Sequence, residues 1–257
     1  MKTPQLSVTA LSRAFGGVLA VDQVSFDLDA GKVNSIIGPN GAGKTTLLNL
    51  LTGIYAPSGG KVVFDGADVT GLAPHQLAAR GMARTFQNPQ LFFNMSALEN
   101  VMVGRHLHER AGWLAAMLRT ARLNAGERES REKAAELMRF VGLGDYLDAE
   151  ADAMPYGALK RLEIARALAG RPKLLLLDEP AAGLNQTETQ AINALITRLA
   201  KSGVTVVLVE HNMRLVMGVS DHILVLDYGR KLCEGTAERV RNDPKVIEAY
   251  LGSGTAA

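Results

Sequence analysis

Three groups of residues in this chain have the types and spacing that phosphate chemistry needs. The first is Gly38-Pro39-Asn40-Gly41-Ala42-Gly43-Lys44-Thr45, followed by Thr46, which fits the pattern G-x-x-x-x-G-K-[ST]. Glycines at these places let backbone N–H groups wrap an anion, and a helix that follows aims the positive end of its dipole at the same point. Lys44 adds a charge and Thr45 a hydroxyl suited to Mg²⁺, so the stretch reads as a nucleoside triphosphate cradle. The second group is Asp178-Glu179, directly after the apolar run Leu174 to Leu177. Where a strand ends beside nucleotide phosphates, one acid holds Mg²⁺ and another group positions or deprotonates the attacking water, roles that fall to Asp178 and Glu179 in that order. Two acids after an apolar run are by themselves more often a solvated strand end, and it is the phosphate loop in the same chain that reverses the balance. The third group is Glu210-His211, where a histidine at a strand end on the same sheet edge can donate to a γ-phosphate.

The elements that must position these groups follow from periodicity. An apolar β-like run, Val33 to Ile37, precedes the phosphate loop, and the helix-like Leu47 to Leu51 follows it. Upstream, Leu6 to Ser12 and Val24 to Asp29 alternate apolar and polar residues as half-buried strands do. Between them lies Phe15-Gly16-Gly17, where an aromatic beside two glycines ordinarily anchors a turn. Pro57 to Gly60 is a turn cluster, Lys61 to Phe64 a strand whose Asp65-Gly66 closes a hairpin, and Pro74 to Arg80 a short helix opened by its proline.

The character changes after Thr85-Phe86-Gln87. From about Ser96 to Met154 apolar residues fall at helix spacing, with Leu98, Val101 and Met102, then Ala134, Leu137, Met138 and Val141, which predicts an inserted helical subdomain. Within it Gly126 to Lys133 reads as a solvated loop and helix start. Trp113 opens an apolar stretch that faces either a partner or the core, and periodicity alone does not choose. Strands and helices alternate again from Leu174. A helix from about Glu188 to Ala200 is striped by Ile192, Leu195, Ile196 and Leu199, and strand Thr205 to Val209 follows. Next come a short helix from Asn212, strand Ile223 to Leu226, a Tyr228-Gly229 turn into Lys231 to Cys233, and a last helix from Asp243-Pro244 to Leu251. Such alternation implies a largely parallel sheet with its ligand at the carboxyl ends of the strands.

Composition narrows the function classes. At 257 residues with 21% charged residues and a net charge of +2, the chain is ordinary globular material with no basic field that would call for nucleic acid. Cys233 is the single cysteine, which excludes an internal disulfide, and the Cys and His spacings of metal sites are absent. Met1 to Val8 lacks an apolar core of signal-peptide length, and the longest apolar runs are strand-sized, so the expectation is a soluble, cytoplasmic chain.

The ordered set of motifs resembles the ATP-binding subunit of an ABC transporter. It comprises Gly38 to Thr45, Gln87 after Thr85-Phe86, Met154-Pro155-Tyr156-Gly157-Ala158 leading into Arg161 to Leu168, Leu174 to Glu179, Ala182-Gly183-Leu184-Asn185, and Glu210-His211, and it covers almost the whole chain. The resemblance implies an α/β fold: a RecA-like P-loop nucleotidase core (residues 1–87 and 159–235) with an antiparallel β subdomain, an inserted α-helical signature subdomain (88–158) and a helical tail (236–257). It implies ATP and Mg²⁺ as cofactors. Phe15 would stack on adenine, overriding the turn-anchor reading, with Ala20 also in the nucleotide contact, while Asn40, Gly41, Ala42, Gly43, Lys44, Thr45 and Thr46 would hold the phosphates. Thr45, Gln87 and Asp178 would serve the metal, Glu179 would be the catalytic base and His211 the γ-phosphate switch, with Gln87 and Lys44 also in the catalytic set. Gly157, at a helix N-terminus, would cap the γ-phosphate bound by the other subunit of a head-to-tail homodimer or heterodimer. The implied partners are transmembrane permease subunits, engaged by residues 82 to 158, and an extracytoplasmic substrate-binding protein. The implied place is the cytoplasmic face of the inner membrane, with no nucleic acid involved.

Departures from the family pattern bear on rate. The signature is usually Leu-Ser-Gly-Gly-Gln, and here only Gly157 keeps its identity: Pro155 has no hydroxyl and Ala158 no amide for a γ-phosphate. Asn185 stands where the family has an aspartate. Loss of donors at a transferring phosphoryl group weakens hydrolysis, but no group on the phosphate-loop side is missing, so an active ATPase is expected. Phe15 to Val21, Tyr156-Gly157, Ala181 to Asn185, the insertion after Gly104 and Asn242-Asp243-Pro244 to Gly252 are similar to the group that takes up branched-chain amino acids and also amides and urea. Two alternatives stand beside it, the lipopolysaccharide-export ATPase and an ABC module with a mainly regulatory ATP-binding role. A soluble P-loop enzyme acting on nucleic acid would show a long coiled-coil insertion, a second cassette or a basic stripe, and the sequence has none.

Overall fold

A computed structural model describes residues 3–106 and 121–252, and Trp113 lies outside the described residues. Its architecture is two sheets with helices on either side. The first sheet is antiparallel, in the order β2-β1-β4-β5, from β1 (Leu6–Phe15), β2 (Val18–Leu28), β4 (Gly59–Phe64) and β5 (Ala67–Asp68). The second has six strands in the order β10-β9-β3-β8-β7-β6. These are β3 (Val33–Ile37), β6 (Met82–Arg84), β7 (Leu174–Asp178), β8 (Thr205–Val209), β9 (His222–Asp227) and β10 (Arg230–Gly235). Strands β9, β3, β8, β7 and β6 run parallel, and β10 adds antiparallel to one edge.

Parallel strands covered on both faces read as unbroken apolar runs. β7 and β8 are buried along their whole length, and so is β3 despite its Asn34 and Ser35. On one face lie α1 (Lys44–Leu51), which buries Leu47, Leu48, Leu50 and Leu51, and the antiparallel sheet, joined in a core with Leu6, Phe26, Val62 and Phe64. The opposite face is covered by α3 (Ala97–Val103), α4 (Ala121–Phe140), α5 (Tyr156–Ala169) and α6 (Gln186–Lys201), with Val101, Met138, Leu162 and Ile192 among the buried residues. Helices α2 (Pro74–Ala79), α7 (Met213–Val219), α8 (Ala237–Arg241) and α9 (Pro244–Gly252) are the remaining α-helices among the described residues.

Two local expectations are corrected. Gly126 to Lys133 is not a loop and helix start but the middle of α4. One glycine costs a helix about 1 kcal/mol relative to alanine, which the flanking Glu, Arg and Lys residues and the seating of Ala134 and Met138 in the core offset. The first hairpin is also longer than its alternation predicts. Register shifts between Val8 and Leu11 and between Leu11 and Arg13 break the period of two while the pairing continues to Phe15.

The consequence for function is topological. Because β3, β6, β7 and β8 are parallel neighbours, the residues after them emerge on one edge: the phosphate loop, Thr85 to Gln87, Glu179, and Glu210-His211.

Candidate active site

The phosphate loop is shaped by steric necessity. Gly43 caps α1 at φ 96°, and a Cβ there would stand 2.5 Å from the Ala20 carbonyl oxygen, so only glycine lets the loop pass the end of the first hairpin. Ala20 is therefore placed against the loop. Ala42 turns its methyl into the core and offers only backbone, whereas Asn40, Gly41 and Thr45 are exposed. No side chain caps the N-terminus of α1, so the first-turn N–H groups, those of Thr45 and Thr46 included, face an anion site. Lys44 folds back over the loop, donating from Nζ to the carbonyls of Gly38 at 2.7 Å and Pro39 at 2.8 Å. Burial pushes its ammonium down from the usual lysine range, against the pull first of Glu179 and then of Asp178.

Asp178 and Glu179 have opposite surroundings. The Asp178 side chain is 10% exposed, and its Oδ2 accepts from Arg84 Nη2 at 2.8 Å, an ion pair in which the arginine side chain is 7% exposed. Arg84 is fixed in turn by donating from Nη1 to Asn49 Oδ1 at 2.6 Å and to Thr52 Oγ1 at 3.2 Å, and it stacks over Phe86. Removing one partner of such a buried pair costs about 3–5 kcal/mol, because the other charge is left unpaired. Glu179 is half-buried and stands at φ 47°, a left-handed conformation costing about 1–2 kcal/mol that turns its side chain out of the strand. Its Oε2 accepts from Gln87 Nε2 at 2.9 Å, and its Oε1 lies 3.7 Å from His211 Nδ1. Three predicted residues thus meet: Gln87, Glu179 and His211. Glu210, fully buried, accepts from the N–H groups of Ala181, His211 and Asn212, which fixes the turn that presents the histidine.

Sequence reasoning missed Arg84, Lys160 and Glu163. On α5, Glu163 Oε1 accepts from the N–H of Phe86 at 3.0 Å and of Gln90 at 3.5 Å, and burial raises its carboxyl above the ordinary range. One turn earlier, Lys160 is 2% exposed and its Nζ donates to the carbonyls of Gln87 and Glu179, the latter at 3.3 Å. The available signal was a lysine and an acid three residues apart, Lys160 and Glu163, among Ala158, Leu162 and Ala165. A helix buried on several faces gives that pair no distinguishing periodicity.

Phe15 sits at the end of β1, 37% exposed, edge-on to Tyr55 at 5.2 Å with the Arg13 guanidinium 4.6 Å from its ring centre. Gly157 lies in the first turn of α5, buried against Glu188 of α6, and among the described residues no hydrogen bond joins it to the phosphate loop. Asn185, the uncharged substitute, caps α6: its Oδ1 accepts from Glu188 N at 3.0 Å, and Glu188 Oε2 accepts in turn from Asn185 N at 3.0 Å.

Beside Arg84 and Glu163 opens a groove of about 540 Å³, lined by Ile54, Leu77, Phe86, Phe92, Val103 and Ala167 among others. Several of these apolar side chains are exposed, with Phe92 at 44% and Ile54 at 43%.

Comparison with known proteins agrees with this geometry. Residues 21–182 match the family described as "ABC transporter", and residues 230–256 that described as "Branched-chain amino acid ATP-binding cassette transporter". The chain is 47% identical over 253 residues to the high-affinity branched-chain amino acid transport ATP-binding protein BraF of Pseudomonas aeruginosa, covering 98% of this chain and 99% of that protein. To LivG of Escherichia coli, of the same description, it is 43% identical with the same coverage. A nucleotide-free ATP-binding cassette from an ABC transporter superposes with a TM-score of 0.84 at 33% identity, covering 96% of this chain and 99% of that one. The ADP conformation of the cassette MJ1267 gives 0.84 at 32%, covering 98% and 100%. The dimeric structure of the cassette MJ0796 gives 0.76 at 25%, covering 90% and 98%. The chain belongs to the ABC transporter family and is one of its ATP-binding, ATP-hydrolysing subunits.

Proposed function

We propose that this ATPase is the motor of an importer for branched-chain amino acids or related amides, working with a separate membrane permease. The observation that carries the motor reading is the convergence of Lys44, Asp178, Gln87, Glu179 and His211 on one sheet edge, with the base candidate already hydrogen-bonded to Gln87. The substrate class rests on the relatives and on the matched tail at residues 230–256.

In this reading the uncapped N-terminus of α1 and Lys44 bind the β- and γ-phosphates, and Lys44 exchanges its two loop carbonyls for phosphate oxygens. Phe15 turns its exposed face to the adenine, next to Ala20. The residues fit Mg²⁺: the Thr45 hydroxyl is exposed at the first turn of α1, the ion pair of Asp178 engages Oδ2 alone, and the Gln87 side chain is exposed. When bound, the ion neutralises charge on the phosphoryl oxygens. Glu179 takes a proton from the water that attacks the γ-phosphorus, Gln87 and His211 orient water and phosphate, and ADP leaves as the bond to the γ-phosphoryl breaks. Gly157 and the N-terminus of α5 close over the nucleotide of a second ATPase subunit, head to tail.

The apolar groove beside Arg84 and Phe86 is the proposed seat of the permease. It borders the segment after β6 that carries Gln87, so docking there reaches the site through the main chain. Among the described residues no helix is long and apolar enough to cross a membrane, and the proposed place is peripheral, at the cytoplasmic face with an extracytoplasmic binding protein opposite. The division into core, helical subdomain (88–158) and tail (236–257) is proposed with this reading.

Reconstitution tests it. Vesicles holding the cognate permease, binding protein and this subunit should accumulate labelled leucine only with ATP. Glu179→Gln should bind ATP and lower turnover by about 10²–10⁴-fold. Uptake of neither leucine nor a small amide would reject the substrate class, and wild-type turnover in Glu179→Gln would reject the base.

A further inference from the structure

We propose that Lys160 is a positioning residue for hydrolysis, whose buried ammonium ties the main chains of Gln87 and Glu179 to the signature helix α5. This rests on the reading of Glu179 as the base.

The geometry is a closed ring. Gln87 Nε2 donates to Glu179 Oε2 at 2.9 Å, and Lys160 Nζ donates both to the Gln87 carbonyl and, at 3.3 Å, to the Glu179 carbonyl. Two residues that follow different strands are therefore bonded twice, once through their side chains and once through a shared cation on a third element. Glu179 occupies a left-handed conformation, φ 47°, which persists only where its surroundings hold it, and its carbonyl accepts both from the Ala182 N–H at 3.1 Å and from Lys160. Glu163, one turn along the same helix, holds the other side of the Gln87 segment through the N–H groups of Phe86 and Gln90. Together Lys160 and Glu163 grip donors and acceptors of residues 86 to 90, so that segment moves with α5.

A packing role accounts poorly for the residue type. Lys160 is 2% exposed, and burial lowers the affinity of its ammonium for the proton, with Glu163, Glu210, Glu179 and Asp178 pulling the other way. An apolar side chain of the same length would avoid that cost, and replacing buried charge by apolar groups is often neutral or stabilising. Among the described residues Lys160 makes no ion pair within 4 Å. Its donors go to the two carbonyls, and its Nζ stands 5.7 Å from the Tyr156 ring centre. Tyr156 precedes Gly157, so the cation spans from the helix end proposed to meet the partner's nucleotide to the base for this chain's own nucleotide. A shift of α5 on closure is thereby felt at Glu179.

The test is Lys160→Met, which keeps the side chain's length and removes its donors. Turnover per nucleotide-binding site, KM for MgATP and amide hydrogen exchange over residues 86 to 90 are measured beside wild type and Glu179→Gln. The expected result is a kcat lowered at least tenfold, KM within twofold of wild type and faster exchange in the segment. Counting bound nucleotide corrects for misfolded protein, so a merely structural lysine would leave kcat per site unchanged. If Lys160→Met does not melt cooperatively, Lys160→Leu, which also has no donor, is put through the same measurements with the same expectation. Wild-type kcat per site in the lysine variant beside an inactive Glu179→Gln overturns the inference alone. Wild-type turnover in Glu179→Gln overturns the reading of the base on which it rests.

Discussion

Two helices, α1 and α5, end on a glycine proposed to lie against phosphate, and the same residue type is required at each for a different reason. At α1, Gly43 has φ 96° and its missing Cβ is opposed by backbone, the Ala20 carbonyl at 2.5 Å and Gly229 Cα at 3.3 Å. At α5, the missing Cβ of Gly157 is opposed by a side chain, Glu188 Oε1 at 2.3 Å, on the neighbouring helix. Neither helix has a side-chain cap, since Gly43 has none to offer and Pro155 carries no acceptor. The first end is built from main chain that cannot move aside. The second is held by Glu188, which Asn185 secures in its capping box, so its shape depends on replaceable side chains.

Substitutions at the two ends sharpen or break the contrast. Gly43→Ala should have the largest effect, because left-handed strain of roughly 1–3 kcal/mol adds to a backbone clash that cannot relax. Calorimetry with ATP should find binding lost, and ordinary affinity would show that the loop is not rigid. Gly157→Ala should cost about 1 kcal/mol by urea denaturation, through displacement of Glu188 from Asn185 N. In a Glu188→Ala background the same substitution should cost almost nothing, whereas an unchanged cost would mean that something other than Glu188 excludes the methyl. Asn185→Asp should change stability by less than about 0.5 kcal/mol, because both residues cap helices equally well. A larger loss would make the amide itself important.

The site was legible where its chemistry is contiguous. Gly38 to Thr46 and Leu174 to Glu179 announce themselves because the residues that act are sequence neighbours at the end of an apolar run. His211 followed from the same rule. Gln87 and Gly157 were candidates only through resemblance, since an exposed glutamine after Phe86 and a glycine after Tyr156 carry no signal of their own. Arg84, Lys160 and Glu163 were not found at all. Each is an ordinary charged residue in its segment: the pairing of β6 with β7 brings Arg84 to Asp178, and the packing of α5 brings Lys160 and Glu163 to the segments that follow those strands. In the fold, element types and order were legible from periodicity, while β1 and β2 ran on past their alternation because bulges shift the register. Asn185 shows the converse: its departure from the family pattern is visible in sequence, yet its service as a cap requires the start of α6 to be placed.

The proposal that binds these regions is that the α5 end of one ATPase subunit completes the α1 end of another, in the homodimer a second copy of this chain. Its most direct test is steady-state phosphate release from MgATP as a function of protein concentration, with Glu179→Gln as the blank. The account predicts activity that rises faster than linearly with protein at low concentration, as two copies come together, and none in the variant. Strictly proportional activity down to concentrations where the chain sediments as a monomer would contradict it.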